Sequence, residues 1–282
     1  MRMLSGILNG VERGRMSETQ PGATQDENDF VPVKSADRTL DVLEALVGGA
    51  AGLGELAQRL RIPKSSLHSI LRTLEHRGWV EADAGRTTYS LGMSALLIGS
   101  SYVDQDPTVL RTSDIMDRLA AETGETVHLA RLELPDVVYL AKRESVHPLR
   151  MFSAIGRRLP AHSTALGKAA LAELPDATLR ATLPETLPGA TSHTITSREV
   201  LIDHLAEVRS AGYAIDAEEA GIGMRCFAVT LPFTTPSKDA ISCSVPLARL
   251  DAVKEAAIID QLLAAREELA HQYGRRRPLN AI

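Results

Sequence analysis

The sequence predicts an α+β protein in which an N-terminal winged helix-turn-helix is joined by a linker helix to a C-terminal α+β domain. Three observations support this fold class. Residues 53–74 contain two helical patterns separated by a proline, residues 79–91 have the pattern of a β-hairpin, and residues 126–273 mix strand-like runs with helical periodicities. A chain of 282 residues is long enough for two domains of this kind.

The first helix is predicted over residues 33–47, between a polar N-terminal arm and the pair Gly48-Gly49. Ser35 is placed to cap this helix, and the two glycines are a natural end for it. The helical spacing predicts one buried stripe on this helix. Its members are Leu40, Leu43, Leu46 and Val47.

The next two helices are predicted from apolar residues at the same spacing on each side of Pro63. The first set is Leu53, Leu56, Ala57 and Leu60, and the second is Leu67, Ile70, Leu71 and Leu74. Because Pro63 disfavours a helical conformation at Ile62, the first of these helices should end near Leu60. The second can begin near Lys64 or Ser65, where a serine is available as a cap.

The outer face of this second helix carries short hydroxyls, an imidazole and two cations. Its residues are Lys64, Ser65, Ser66, His68, Ser69 and Arg72. Such side chains can hydrogen-bond to phosphates and base edges, and a helix fits the major groove of DNA. We therefore predict a helix-turn-helix with residues 64–76 as the recognition helix. The alternative is a helical hairpin with a solvated outer face.

The residues after the recognition helix predict a wing. Gly78 can end the helix, and residues 79–80 and 87–91 read as two strands around a turn. Arg86 and Thr88 lie near the tip of this hairpin, where they could reach a phosphate. Arg38, near the start of the first helix, could also contact the DNA backbone.

Three segments of this region resemble the winged-helix domain of the IclR family of bacterial transcriptional regulators. They are KSADRTLDVLEAL, LGELAQRLRIPKSSLHSILRTLEHRGWV and YSLG. The resemblance implies a regulator, more often a repressor, that binds a pseudo-palindromic double-stranded operator as a homodimer or tetramer. It also implies that the linker helix pairs subunits.

The chain is accordingly divided into five segments. We expect a disordered arm over residues 1–32, a winged helix-turn-helix over 33–92, a linker helix over 93–107, a second domain over 108–275 and a tail over 276–282. The linker helix is rich in apolar residues and needs a partner surface, either another subunit or its own domain. Met16 is a second candidate start of the chain.

The second domain is predicted to contain a central antiparallel sheet. A helix is expected over residues 108–124, with Leu110, Met116 and Leu119 directed inward. Strands are expected over 126–132, 136–142, 149–155, 213–216, 226–233 and 240–245, and further helices over 163–174, 197–210 and 249–273.

Polar groups in this domain predict a small-ligand pocket. The helix that begins near Ser163 offers free backbone amides to a carboxylate or phosphate. On a strand, Ser242 and Ser244 point to one side and Cys243 to the other. With Asp216 and Cys226, these hydroxyls suit a small organic acid.

The same segments also resemble the effector-binding domain of the IclR family, which is GAF-like. Gly212, Asp216, Glu219 and Cys226 match the family's C-terminal signature. The resemblance implies ligand contacts by Ala165, Leu166, Asp216, Cys226, Ser242 and Ser244. It implies apolar walls formed by Met151, Leu159 and Met224. The implied effector is a keto, hydroxy, sugar or aromatic acid, and no cofactor is implied.

Two other functions can be compared with this one. In an enzyme, Cys226 would be a nucleophile and His162 its base, but the sequence has no G-x-S-x-G, H-E-x-x-H or Gly-rich nucleotide loop. A zinc site could use Cys226, His162 or His193, but these residues lack the usual ligand spacing.

Composition narrows the class of protein further. The net charge of −5 argues against a nonspecific nucleic-acid coat and predicts moderate DNA affinity per subunit. The sequence has no apolar run long enough for a membrane span and no signal-like start, so we expect a cytoplasmic protein with no membrane partner. Two cysteines provide no disulfide framework.

Overall fold

The computed structural model describes residues 31–148 and 153–273, which divide into two compact units between Ser101 and Tyr102. Most of the predicted arm, the wall residue Met151 and the tail lie outside these residues. So do residues 149–152 of the predicted strand 149–155.

The N-terminal unit contains the predicted helices and hairpin. Its elements are α1 (Lys34–Leu46), β1 (Ala51–Gly52), α2 (Leu53–Leu60), α3 (Lys64–His76), β2 (Val80–Ala82) and β3 (Thr88–Leu91). The strands pair antiparallel in the order β1–β3–β2. The short strand β1 was not predicted, because two residues carry no readable alternation.

The break between α2 and α3 has the predicted position and a more specific cause. Arg61 adopts a left-handed conformation with φ 53°, and the amide of Ile62 donates to the carbonyl of Ala57. Pro63 then occupies the position before α3. The predicted serine cap of α3 is wrong, since no side chain caps this helix. Ser35 is likewise not the cap of α1, which begins after Val33.

The core of this unit is built mostly from the predicted apolar stripes. Its largest members are Val42, Leu46, Leu56, Ile62, Leu67, Leu71, Leu74, Val80 and Tyr89. Two residues predicted on the buried face of α1 are wrong, because Leu40 is 60% exposed and Val47 is 75% exposed. The buried face of α1 is instead Val42, Ala45 and Leu46, and Leu40 lies almost opposite to it at 100° per residue.

The linker helix α4 (Met93–Gln105) contains no buried residue. Its apolar side chains are exposed. They are Met93, Leu96, Leu97, Ile98 and Tyr102. The next helix, α5 (Pro107–Thr123), begins where the carboxylate of Asp106 accepts from the amides of Thr108 and Val109. Thus α4 and α5 are separate helices, and Pro107 occupies the first position of the second one.

The C-terminal unit is built on an antiparallel sheet, as predicted. Its strands are β4 (Thr126–Glu133), β5 (Asp136–Arg143), β6 (Arg158–Pro160), β7 (Ala214–Ala217), β8 (Met224–Thr230) and β9 (Asp239–Pro246), in the order β6–β5–β4–β9–β8–β7. The further helices are α6 (Ala165–Ala172), α7 (Asp176–Thr182), α8 (Arg198–Ala211) and α9 (Ala252–Tyr273). The predicted α+β class is confirmed.

Each face of this sheet has its own core. Helices α5 and α9 cover one face. Their side chains Met116, Leu119 and Leu262 join Phe227 and Cys243 of the sheet in one core. Helix α6 covers the other face, and α8 packs against α6. The members of that second core include Leu166, Leu171, Leu201, Leu205, Cys226 and Ala228. Leu110 is 63% exposed, so its predicted inward position is wrong.

Two elements of this unit differ from the prediction. Residues 153–155 are not in a strand, and the strand of this region is β6, which pairs with β5 so that Val137 is opposite Leu159. Helix α7 was not predicted, because Pro175 indicates the end of a helix in the sequence and is also the residue before the next one.

Candidate functional site

The outer face of α3 is the candidate DNA-binding surface. Lys64, Ser65, His68, Ser69 and Arg72 are exposed, and Ser66 is half-buried. The side chains of Lys64, His68 and Arg72 have no hydrogen-bond or ion-pair partner in the described part of the chain. Ser69 donates to the carbonyl of Ser65 at 3.2 Å, which leaves its oxygen free to accept. These three side chains are therefore available to an external partner.

The wing residues are more constrained than the recognition helix. Arg86, with φ 54°, lies at the tip of the hairpin, and its guanidinium is 2.5 Å from the carboxylate of Glu75 on α3. Asp83 accepts from the amides of Thr87 and Thr88 and shapes the turn. Thr88 is half-buried, as is Arg38 on α1. Arg86 therefore joins the wing to the recognition helix.

The candidate effector site is a cavity of about 160 Å³ in the C-terminal unit. It is lined by Tyr139, Arg157, Leu159, Thr164, Ala165, Leu166, Asp216, Ala220, Gly221, Met224, Cys226, Ser242 and Ser244. The structure thus brings together eight of the nine residues predicted for the pocket. The ninth, Met151, lies outside the described residues.

Strand register forms one wall of the cavity. Asp216 on β7 is opposite Cys226 on β8, and Cys226 is opposite Ser244 on β9. Two residues before Ser244 on β9, Ser242 is opposite Ala228 on β8. Cys243 points to the opposite face and joins the other core. The carboxylate, the thiol and both hydroxyls therefore share one face of the sheet, as the alternation predicts.

The N-terminus of α6 forms the facing wall. The hydroxyl of Thr164 accepts from the amide of Gly167 at 3.0 Å, while the first amides of a helix have no acceptor within it. Ala165 and Leu166 carry those first amides, and both residues line the cavity. A side chain at Gly167 would lie 2.1 Å from the carbonyl oxygen of Ala161, so only glycine permits this close approach.

The polar groups of the cavity are strongly buried. Burial raises the pKa of Asp216 to about 6, although its carboxylate accepts from the amides of Glu219 at 2.7 Å and Ala220 at 3.3 Å. Burial also raises the pKa of the Cys226 thiol, which stays protonated at neutral pH. Ser242 is 1% exposed, and its hydroxyl has no hydrogen-bond partner among the described residues.

A buried histidine lies behind the cavity wall. Nε2 of His128 is 2.7 Å from the hydroxyl of Ser153, and Nδ1 is 3.4 Å from the hydroxyl of Ser244. The imidazole also stacks on Tyr139, with 4.8 Å between ring centres. Burial lowers the pKa of His128 to about 4, so the ring is neutral at physiological pH. It connects two serine hydroxyls without adding charge.

Two protein-family models match this chain, one in its N-terminal part and one in its C-terminal part. Residues 35–84 match the model of the IclR helix-turn-helix domain, and residues 100–271 match the model of the bacterial transcriptional regulator IclR C-terminal domain. The chain belongs to the IclR family. It is therefore a DNA-binding protein of transcription regulation, as the resemblance predicts.

Individual IclR relatives support this assignment over most of their length. The HTH-type transcriptional regulator BhcR of Paracoccus denitrificans is 33% identical, over 84% of this chain and 86% of the relative. The transcriptional repressor IclR of Escherichia coli is 31% identical, over 86% and 90% respectively. The crystal structure of a regulator from Alicyclobacillus acidocaldarius has a TM-score of 0.74 at 26% identity, covering 86% of this chain and 98% of that one.

Membership of the IclR family points away from the enzyme and zinc alternatives, and the geometry gives them little support. A protonated Cys226 thiol is a poor nucleophile. His162 donates from Nε2 to the carbonyl of Pro188 at 2.9 Å and does not line the cavity. Within residues 31–148 and 153–273, no group of three histidine, cysteine or acidic side chains is placed to hold a metal ion. A membrane-spanning helix is also absent from these ranges.

Sequence reasoning missed several residues of this IclR-family cavity. They are Tyr139, Ala220 and Gly221 at the surface of the cavity, and His128 behind it. Arg157 and Thr164 lie in the segment 156–168, which the sequence predicts as a pocket wall without assigning either of them a ligand contact. The amide of Tyr139 donates to the carbonyl of Arg157, so these two residues are brought together by the pairing of β5 with β6. The signal that would have found them is this pairing, which the misplaced strand 149–155 obscured.

Proposed function

We propose that this protein is a ligand-responsive transcriptional repressor whose operator binding is modulated by a small organic acid held in the C-terminal cavity. The observation that carries the proposal is the hydroxyl of Ser242, which lines the cavity and has no hydrogen-bond partner among the described residues. A ligand in the cavity can hydrogen-bond to this hydroxyl, and a neutral hydrogen bond of this kind contributes about 0.5–1.5 kcal/mol.

The cavity wall suggests which chemical groups the effector carries. The free amides of Ala165 and Leu166 and the nearby cation of Arg157 suit a carboxylate. Asp216, ionised above pH 6, accepts a hydrogen bond from a hydroxyl and repels a second carboxylate. Leu159, Leu166 and Met224 provide apolar contact, as proposed from the sequence. A hydroxy acid, or a keto acid in its hydrated form, matches these groups.

The volume of the cavity limits the size of the effector. At about 160 Å³, it is smaller than the roughly 300 Å³ at which sites for drug-sized ligands begin. Within the proposed classes of keto, hydroxy, sugar and aromatic acids, this favours the smallest members.

The DNA partner is proposed to be a pseudo-palindromic double-stranded operator read by α3. Lys64, Ser65, Ser66, His68, Ser69 and Arg72 would contact bases and phosphates, and Arg38, Arg86 and Thr88 would contact the backbone. With a net charge of −5, one subunit gains little from phosphate neutralisation alone. The exposed apolar residues of α4 would pair subunits into a homodimer or tetramer and so double the contacts.

The effector would act by shifting a balance between two arrangements of the protein. A ligand can shift such a balance only through its different affinity for the two states. We propose repression of transcription, and not activation, from the similarity to the Escherichia coli relative, which is 31% identical and is named a transcriptional repressor.

Fluorescence anisotropy with DNA flanking the protein's own gene tests this function. The measurement uses physiological salt and excess nonspecific competitor, and is repeated with a panel of lactate, pyruvate, glycerate, gluconate and 4-hydroxybenzoate. We expect competitor-resistant binding that one acid alters. Specific binding that no small acid alters would contradict the effector role, and absence of specific binding would contradict the operator role.

A further inference from the structure

The side chain of Lys168 is fully buried in the middle of α6. Its ammonium group donates to the carboxylate of Glu219 and lies 3.3 Å from Nε2 of His204. Replacing a buried ion pair by apolar side chains of similar volume is often neutral or stabilising. Stability alone therefore does not account for an ion pair at this position.

The pair connects the two walls of the cavity. Lys168 is two residues after Leu166, whose side chain lines the cavity at the start of α6. Glu219 belongs to the segment 216–221, in which Asp216, Ala220 and Gly221 line the opposite wall. The Lys168–Glu219 ion pair thus holds this segment against α6.

The backbone of Glu219 determines the direction of the Asp216 carboxylate. Its amide donates to Oδ1 of Asp216 at 2.7 Å, and its carbonyl accepts from the hydroxyl of Thr194 at 2.7 Å. The preceding residue, Glu218, has φ 64°, a conformation that costs a non-glycine residue free energy. A displacement of residue 219 would therefore release Asp216 from the shorter of its two amide hydrogen bonds.

The ion pair itself is incompletely satisfied. Oε1 of Glu219 accepts from Lys168, but Oε2 is buried without a hydrogen-bond partner in the described part of the chain. Because buried polar atoms usually have a hydrogen-bond partner, the unsatisfied oxygen makes a purely stabilising role for the pair a weak explanation.

We infer that Lys168 and Glu219 are positioning residues that aim the Asp216 carboxylate at a hydroxyl group of the effector. This inference rests on the proposed function and adds a distinct requirement to it. The effector must carry a hydroxyl that donates to Asp216, and the response to that hydroxyl must depend on two residues that do not line the cavity.

The test compares full-length Glu219→Gln, Lys168→Met and the double variant Lys168→Met/Glu219→Leu with the wild type. The double variant leaves no unpaired buried charge and guards against a simple folding defect. Glu125→Gln is the matched control, because Glu125 is fully buried and paired with Arg249 and Lys254 but lies away from the cavity. Operator binding without acid reports whether each protein remains folded.

The decisive readout uses pairs of acids that differ by one hydroxyl, namely lactate with propionate and 4-hydroxybenzoate with benzoate. In the wild type and in Glu125→Gln, we expect the hydroxylated acid to act at a lower concentration. In all three positioning variants, we expect this preference to fall by about tenfold, the worth of roughly one hydrogen bond to a charged group. A merely structural role would weaken both acids equally, and an unchanged preference would overturn the inference.

A crystal structure of Lys168→Met gives an answer that does not depend on any effector. We expect the amide of residue 219 to have moved out of hydrogen-bond distance of Asp216. If Asp216 keeps both of its amide donors in place, the inference fails even where the wild type responds to an acid. If no acid affects the wild type, the proposed function fails and the inference fails with it, and the position of Asp216 then shows only whether Lys168 and Glu219 hold its carboxylate in place.

Discussion

Serine residues occupy opposite environments in the two units of this protein. Ser65 and Ser69 lie exposed on the outer face of α3, with water available to every free lone pair. Ser242 and Ser244 are 1% and 2% exposed on β9, where their hydroxyls meet protein groups or the contents of the cavity. The same side chain is therefore solvated on α3 and placed at a cavity wall on β9.

This difference shows how the two surfaces have to be interpreted. The polar residues of α3 are predicted to bind DNA because they lie outside its apolar stripe. An ordinary solvated helix face would also explain their positions. In the cavity each buried polar group needs a partner. Ser244 has His128 at 3.4 Å, whereas Ser242 has none within the described residues. The stronger structural argument for ligand binding therefore comes from the cavity.

The largest expected effect comes from removing polar groups of the cavity. We expect Asp216→Ala/Ser242→Ala to reduce the free energy of effector binding by up to about 4 kcal/mol. This is the sum of one hydrogen bond to a charged group and one neutral hydrogen bond. Titration of the operator complex with the active acid measures this loss. Ser237→Ala is the control, because Ser237 is also buried but bonds to the carbonyl of Leu231 away from the cavity. Loss of operator binding itself would show that these residues serve the core.

The second effect concerns stability and pH. The pKa of His128 is about 4 in the folded protein and about 6.5 in the unfolded chain. The unfolded chain therefore takes up a proton first as the pH falls. The stabilisation by His128, about 3 kcal/mol, is complete above pH 6.5 and lost by about pH 4.

Urea unfolding of His128→Gln between pH 7 and pH 4 tests this effect. We expect the free energy of unfolding to vary less steeply with pH than in the wild type. Asp216, whose raised pKa acts in the opposite direction below pH 6, is present in both proteins and cancels in the difference. His68→Gln, on the exposed face of α3, should reproduce the wild-type curve. Parallel curves for His128→Gln and the wild type would refute the assignment.

The third effect is on operator affinity. We expect Arg72→Ala to cost about 1–3 kcal/mol if Arg72 contacts a base, with no change in the action of the acid. Anisotropy at physiological salt measures the loss. Arg118→Ala removes the same charge from α5 and serves as the control, since Arg118 pairs with Glu268 in the C-terminal unit. Equal affinities of the two variants would exclude a base contact by Arg72.

The smallest effect is expected at the wing. Arg86 and Glu75 form an ion pair whose side chains are partly exposed, so Arg86→Ala should change stability by less than about 1 kcal/mol. A phosphate contact by Arg86 would also lower the slope of log affinity against log salt by about 0.9. Glu75→Ala, which removes the pair but keeps the cation, is expected to leave this slope unchanged. An unchanged slope in Arg86→Ala would assign Arg86 to wing structure alone.

Local patterns were sufficient for the three helices and the hairpin of the N-terminal unit, but not for β1, the helix caps or the burial of Leu40 and Val47. The bounds of α3 are those predicted, because its apolar spacing and Pro63 both act over a few residues. In the C-terminal unit, the alternation of β9 correctly separated Ser242 and Ser244 from Cys243. These inferences needed only helical and strand geometry.

Long-range pairing accounts for what the sequence did not reveal. Lys168 reads as an ordinary surface lysine, because its partner Glu219 is 51 residues away. His128 and Ser244 are 116 residues apart. Strand β6 was misplaced because its bonds to β5 depend on register and not on local alternation. A buried polar residue whose partner is distant in the sequence produces no local sequence pattern, so its burial could not be predicted.

The exposed apolar surface of α4 makes the assembly of the protein depend on its concentration in the cell. A helix of 13 residues that buries no side chain is marginal in water by itself. Under the proposed pairing, its order depends on a second subunit, so dimer concentration rises with the square of monomer concentration in the dilute regime. The number of copies per cell would then be an input to the promoter, alongside the level of the organic acid.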